Sequence, residues 1–437
     1  MSELLASEHE QRAALSTEVE TTRAGSATRG FPPLRICMHV LGQGSSDVRV
    51  MRAATALSAA GCQVSIVDLE SRDKPACENL QGISLHHVRL APDFFSSRFK
   101  RQALLRAATI FVRSLWQVLK TDADLYHAHD VAALPACYLA SRLRRKPLIF
   151  EAHEMPLEEH PLSSMSRGRR LLHHMLALLV KVMIPASDGV ITVSPPIVEE
   201  LQRRYRLRRL ALVRNIPPYQ KVARTRRLHE ALGLAPQMRV ALYQGRFQAN
   251  RSLDLLVRAA RYLDPEIVIV LLGKGLGNAA EELERLIAQE QVGDRVKLLP
   301  AVPYRELLSW TASADLGLLI ASPDYSLNVR MFLPNKLFEY IMAGVPVLTS
   351  ALPAVVELVE RYGLGQVVNE LTPEAIAQAI NGMLSHPETL TAMRRNALQA
   401  AANELHWEKE QQSLLDLYQS IVTEINKETI LLEEGRK

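Results

Sequence analysis

The sequence predicts two tandem doubly wound α/β domains, each a largely parallel sheet flanked by helices. Three observations predict it. Strand, glycine turn, helix and strand follow one another between Leu34 and Leu69. The same alternation runs on to Arg214, breaks over 216–237 and restarts at Val240. The length, 437 residues with 48% hydrophobic content, is enough for two cores of that size.

Taken in order, Leu34–Val40 is an apolar run with β-branched members. Gly42-Gln43-Gly44-Ser45-Ser46 is a turn, and Val48–Ala60 repeats apolar residues at helical spacing until Gly61 stops it. Strands are expected at Gln63–Leu69, Ser84–Leu90, Asp124–His127, Lys146–Glu151, Gly189–Val193 and Leu210–Arg214. Helices are expected at Ser97–Lys120, Val131–Leu143, Ser166–Ile184 and Pro195–Tyr205. The prolines and basic residues of 216–237 place the domain linker at the start of that segment. In the second half, strands are expected at Val240–Tyr243, Glu266–Leu272, Val296–Leu299, Leu316–Ile320, Val345–Thr349 and Gly365–Val368. The expected division is a polar, disordered tail over 1–30, domains over 31–215 and 216–404, and a C-terminal helical segment over 405–437. Ligands in such folds bind at the carboxyl ends of the strands, and two facing domains make the cleft between them the default site.

Composition narrows the function classes. Aromatic residues make up 5% of the chain, too few for a ring-built nucleic-acid surface, and no recognition motif accompanies the net charge of +5. No nucleic-acid partner is therefore expected. Cys37, Cys62, Cys77 and Cys137 form no CxxC pair and read as thiols of a reducing cytosol. No run of about 20 apolar residues is present to span a membrane. The expected location is cytoplasmic.

The chemistry concentrates at strand ends. Tyr243-Gln244-Gly245-Arg246 closes a strand and Arg251 follows before the next helix. Two arginines beside a helix N-terminus make a clamp for a diphosphate. Gly273 ends the next strand, where a ligand can approach the backbone. In the string Leu333-Pro334-Asn335-Lys336-Leu337-Phe338-Glu339, Pro334 suits a first helical turn. Asn335, Lys336 and backbone N–H groups, including that of Leu337, then suit phosphate oxygens. Glu339, one turn on, suits the paired hydroxyls of a ribose. In the first half, His127-Ala128-His129-Asp130 closes one strand, and Glu151-Ala152-His153-Glu154 closes the next. Histidines there can bond a sugar hydroxyl or steady developing charge. His127, Asp130, His153 and Glu154 are candidates on the acceptor side. No metal is expected, although the His/Glu density invites the question.

Together these residues resemble glycosyltransferase family 4, whose members have the GT-B fold. The resemblance runs from about Leu34 to Tyr418. It is carried by the Pro334–Pro346 string, by Gly245-Arg246 with Arg251, by Tyr304-Arg305-Glu306-Leu307-Leu308 before Ala314-Asp315, by Ser46-Asp47-Val48-Arg49-Val50, and by His406-Trp407-Glu408 before a last helix with Tyr418. It implies transfer with retention of configuration, no catalytic metal, no cofactor, and a UDP- or GDP-sugar as co-substrate. It implies that Arg246 and Arg251 neutralise the leaving diphosphate, Glu339 holds the ribose, His129 lies beside the transferred sugar, and Gly42 and Gly44 form a loop over the donor. His129 and Glu339 are thus the residues expected in catalysis. It also implies that the last helix crosses back onto the N-terminal domain. Many members carry a further acid eight positions before the Glu339 equivalent. Here that position is Met331, a departure that bears on which sugar is carried.

Two segments of the first half are basic and amphipathic. Ser97–Lys120 contains Arg98, Lys100, Arg101, Arg106, Arg113 and Lys120 with no acid, and 166–184 contains Arg167, Arg169, Arg170 and Lys181. Either both lie on an anionic membrane, or each packs one stripe on the sheet and leaves its charges in water. The membrane reading suits a lipid-linked acceptor of glycan or polysaccharide assembly, with the protein peripheral on the inner face. Two other functions remain open: a non-catalytic protein that binds a nucleotide sugar or a partner, and a nucleotide-sugar epimerase.

Overall fold

The computed structural model describes residues 33–71, 75–90, 103–158 and 167–434. The expected tail over 1–30 and the first turns of the expected helix at Ser97 lie outside these residues. The chain divides into two compact units. The first runs to Arg214 and resumes at Glu410, and the second is Asn215–Lys409.

The first unit is built on eight strands: β1 (Arg35–Val40), β2 (Gln63–Ser71), β3 (Cys77–Leu80), β4 (Ile83–Leu90), β5 (Leu125–His129), β6 (Leu148–Ala152), β7 (Gly189–Thr192) and β8 (Leu210–Leu212). Their order in the sheet is β3-β4-β2-β1-β5-β6-β7-β8. All neighbours are parallel except β3, which runs antiparallel to β4 at the edge. β3 was not expected. Its residues alternate between exposed and half-buried, so it lacks an apolar run, and a turn at Gln81-Gly82 with both φ positive folds it back. The chain moves outward from β1 on one side and then returns to build the other side from β5. The strand order therefore reverses between β1 and β5, which leaves a crevice at their carboxyl ends.

The second unit has six parallel strands: β9 (Arg239–Gln244), β10 (Ile267–Gly273), β11 (Val296–Pro300), β12 (Leu316–Leu319), β13 (Val347–Ser350) and β14 (Gly365–Val368). Their order is β11-β10-β9-β12-β13-β14, so here the reversal falls between β9 and β12. Central positions such as Val240, Leu242, Val268, Val270 and Val347 are wholly buried. That is the burial expected of a parallel sheet covered on both faces.

The last helix, Trp407–Glu434, begins in the second unit and continues in the first. Leu414, Leu417, Tyr418, Ile421 and Val422 are buried and fall on one helical stripe. That stripe seats over β7. A β-carbon at Gly189 would lie 3.0 Å from Ile421 and 3.2 Å from Leu417. Charged pairs flank the seat: Arg209 with Glu424, and Arg214 Nη2 with Glu410 Oε2 at 2.7 Å. Gly189→Val should lift the helix from the sheet and destabilise the first unit by about 1–3 kcal/mol. A lowered urea midpoint for this variant is the expected measurement, whereas Gly382→Ala, at an exposed position inside a helix with open space around it, should not lower it.

Candidate active site

In the second unit the strand order reverses where the sequence carries its densest polar motif. β9 ends at Gln244 and is followed by Gly245 with φ +128°. A side chain at Gly245 would press on Lys336 Nζ at 3.2 Å, and one at Gly273 would strike the Gly245 carbonyl. The two glycines let the ends of β9 and β10 meet and leave room for the lysine. Lys336 Nζ sits 3.5 Å over the Tyr243 ring. Burial, and after it the neighbouring Arg251 guanidinium, hold its ammonium well below the usual lysine range, with Glu339 opposing them. Arg251 lies in a short turn, Ala249–Arg251, with its guanidinium 4.9 Å over Phe332. Arg246 is exposed, and its guanidinium has no ion pair among the described residues.

The helix carrying the motif is Asn335–Met342. Pro334 caps it from an extended conformation and does not occupy the first helical turn, because its ψ of 143° precedes the first helical residue. Asn335 is exposed. Leu337 faces inward: its side chain belongs to the core, and its N–H is donated to the Pro334 carbonyl at 3.0 Å. Glu339 is buried to 8% exposure. The Gln244 amide donates to Glu339 Oε2, and Thr311 Oγ1 donates to Gln244 Oε1 at 2.7 Å. Tyr340 hydroxyl donates to the Leu242 carbonyl at 2.9 Å. These bonds tie the carboxylate to the end of β9. Gln244, Thr311 and Tyr340 were not among the expected site residues. Gln244 stood inside the quoted motif, while Thr311 lies 67 positions away. Met331 ends the short helix Leu327–Met331 that precedes Pro334.

In the first unit, the loop after β1 is fastened from below. Gly42 carbonyl accepts from Leu69 N–H at 3.0 Å, and Gly44 N–H donates to Asp68 Oδ2 at 2.8 Å. The other oxygen of Asp68 meets His87 Nδ1. Burial lowers the affinity of His87 for its proton, but the Asp68 carboxylate outweighs it and holds the imidazole above its ordinary range.

β5 and β6 are buried along their whole length, yet they carry His127, His129 and Glu151. The strand is unbroken, so both histidines face the same side. Their rings stack at 4.2 Å. His127 Nε2 lies 3.1 Å and His129 Nδ1 3.6 Å from Glu151 Oε2. Arg49 Nε bonds Glu151 Oε1, and His153 Nε2 lies 3.4 Å from the same oxygen. Burial raises the Glu151 pKa, but Arg49 and the histidines prevail and hold the carboxyl well below the usual range. Burial, and then His127, push His129 well below the ordinary imidazole range, so its ring is neutral. Burial and Arg49 pull His153 down. The Asp130 and Glu151 carboxylates outweigh them and raise it to about 9. Asp130 Oδ2 lies 3.0 Å from His153 Nδ1, and Asp130 itself has φ +65°. A non-glycine residue held there is strained, and such strain clusters at functional sites. Glu154 is exposed. Arg49 and Glu151 were not named as site residues, because their pairing spans 102 positions.

His127, His129 and Glu151 bring three ligand atoms within 4.8 Å of one another, a spacing that suits a cation. The carboxylate, however, already faces the guanidinium of Arg49 and a protonated His153, so the balancing positive charge is built into the protein.

With this geometry in view, residues 46–218 match the Glycosyltransferase Family 4 profile, and 225–400 match Glycosyl transferases group 1. A D-inositol 3-phosphate glycosyltransferase of Xylanimonas cellulosilytica is 26% identical over 401 residues, covering 86% of this chain and 91% of that relative. One from Catenulispora acidiphila is 24% identical over 440 residues, covering 92% and 98%. Among solved structures, sucrose-phosphate synthase from Thermosynechococcus elongatus superposes with a TM-score of 0.73 at 19% identity, covering 89% of this chain and 99% of that one. HepE of Anabaena, in complex with UDP and glucose, gives 0.67 at 16%, covering 89% and 100%. The chain belongs to glycosyltransferase family 4, and is a GT-B-type transferase that uses nucleotide-sugar donors.

The His153 charge makes a pH prediction. Its folded-state pKa of about 9 stands above the ordinary 6.5. Its contribution to stability is therefore complete below the ordinary value and is lost as pH rises through the folded one. Urea unfolding from about pH 6 to about pH 10 should show this loss in the wild type and a flatter profile in His153→Gln.

Proposed function

We propose that this enzyme transfers a sugar with retention of configuration and without a metal, from a UDP- or GDP-sugar to a lipid-linked glycan precursor, while resting peripherally on an anionic membrane. One observation carries the donor assignment: Lys336 and Arg251 lie together beside the N-terminus of the helix that holds Glu339, with Arg246 two residues past the end of β9 at the strand reversal. Departing diphosphate develops charge, and fixed cations with a helix N-terminus stabilise it without a metal ion. A lowered lysine affinity for protons favours the same reading, since an arriving diphosphate would restore the charge of Lys336. Glu339, held by Gln244, is oriented for ribose hydroxyls. His129 serves at the transferred sugar. Gly42 and Gly44 supply backbone to the donor. His127, Asp130, His153 and Glu154 serve on the acceptor side, the first three through the cluster around Glu151.

The acceptor reading rests on surface chemistry. Three neighbouring helices of the first unit, Ala103–Lys120, Asp130–Arg144 and Arg167–Met183, expose large apolar side chains. They include Trp116 at 57%, Leu143 at 67%, Leu178 at 64% and Val182 at 59%. Arg113, Lys120, Arg142, Arg144 and Lys181 accompany them. The first and third of these helices carry no acid. Exposed apolar groups among unopposed cations suit an anionic lipid surface. Among the described residues no helix is long and apolar enough to cross a membrane. The curated relatives are named for D-inositol 3-phosphate, a free polyol phosphate, and that acceptor makes the comparison arm of the test.

Thermal-shift titration should show stabilisation by one nucleoside diphosphate and its sugar conjugate. Arg246→Ala should weaken that binding roughly 10- to 100-fold. Wild-type affinity in this variant sinks the donor assignment. Vesicles containing anionic lipid should capture the protein and neutral ones should not, with capture lost at high salt and in Trp116→Ser/Leu178→Ser. Transfer to a soluble inositol phosphate, with none to a polyprenyl-linked sugar, would overturn the acceptor reading.

A further inference from the structure

The role proposed for His129 at the donor sugar leaves open which ring nitrogen faces that sugar, and with what. This inference rests on that role. The ring is 1% exposed, and neither nitrogen has a hydrogen-bond partner among the described residues. A neutral imidazole carries one N–H and one lone pair, and its neighbours decide which nitrogen holds which. Nδ1 faces Glu151 Oε2 at 3.6 Å.

That carboxylate is bonded by Arg49 at one oxygen and flanked by two further histidines that lie close without a hydrogen bond. Arg49 Nε and His153 Nε2 approach Oε1, and His127 Nε2 approaches Oε2 at 3.1 Å. His127 is fixed in turn by the Tyr418 hydroxyl, 2.8 Å from its Nδ1. Its ring stacks on His129 at an interplanar angle of 26°, which also sets the plane of His129. His153, 5.7 Å from His129 edge to face, is anchored by Asp130. The charged groups around His129 are thus Glu151, Arg49, protonated His153 and, beyond it, Asp130. The acidic and basic members balance, so His129 itself needs no charge.

We propose that Glu151 is a positioning residue for the transfer: its Oε2 keeps the proton of His129 on Nδ1 and so leaves Nε2 as a lone-pair acceptor for a hydroxyl of the donor sugar. The opposite tautomer would set the Nδ1 lone pair against an ionised oxygen, two acceptors facing each other in a buried site. Arg49 keeps the carboxylate ionised, and the stacked His127 prevents His129 from turning. His129 then orients the sugar by accepting a hydrogen bond, and does not act as a cation.

The full-length protein labelled with 15N-histidine provides the test. Long-range 1H–15N spectra distinguish the two tautomers, and the signals missing from His129→Gln assign the ring. Wild type should show Nδ1–H. In Glu151→Gln, whose amide offers either a donor or an acceptor, the ring should move to Nε2–H or a mixture. Turnover of the nucleotide sugar that shifts the melting temperature should then fall on the order of 10-fold or more, with its KM nearly unchanged. Glu151→Asp should recover part of both. Nε2–H in the wild type overturns the proposal, as does a Glu151→Gln protein that keeps both Nδ1–H and turnover. If Glu151→Gln does not fold, the wild-type tautomer still decides. The spectra need no substrate, whereas failure of the wild type to bind any nucleotide would strike the donor assignment, so the two failures are told apart.

Discussion

Reversal of strand order in a parallel sheet governs this molecule. Crossover helices cover both faces, and a crevice opens where two neighbouring strands send their connections in opposite directions. Each unit has one such place, between β1 and β5 and between β9 and β12. The residues with the most chemistry are gathered there: the Gly42–Gly44 loop and His129 in one unit, and Gly245, Lys336 and Glu339 in the other. The apolar core serves this arrangement by holding the strand ends in register.

The two places handle charge differently. In the second unit cations predominate, and burial and Arg251 hold the Lys336 ammonium well below the usual lysine range. Such a site is under-neutralised until an anion arrives. In the first unit a buried carboxylate is matched by Arg49 and a protonated His153, with the neutral ring of His129 beside it. A buried charge without a partner would be strongly destabilising, so the cluster must be complete before β5 and β6 can lie in the core. The first site is therefore a polar core in its own right, while the second is built around something the protein does not itself contain.

Much of the fold was legible because glycine and proline punctuate it. Gly42, Gly61, Gly245 and Pro346 mark the ends of strands and helices, and the apolar runs between them have the lengths of strands. β3 escaped notice because Cys-Glu-Asn-Leu has no run to read, and its place depends on pairing with β4. The strand-end histidines and the Pro334–Glu339 string were visible as local patterns. Their partners were not. Arg49 meets Glu151 across 102 positions, Tyr418 meets His127 across 291, and Thr311 reaches Gln244 across 67. Sequence spacing carries no sign of such meetings, which depend on strand order. The inward turn of Leu337 was equally hidden, since a helix N-terminus was read there without knowing which way its first turn faces.

The last helix has a consequence for how the gene can be cut. Since the first unit resumes at Glu410, the second unit is an insertion within it, and the described residues on either side of it belong to one body. A fragment ending at Arg214 lacks the stripe that covers β7 and the hydroxyl that bonds His127. Asn215–Lys409, by contrast, is continuous and carries its own sheet and core. A stop codon near the 3′ end would thus damage the product of the 5′ half, and the central stretch is the piece suited to expression alone.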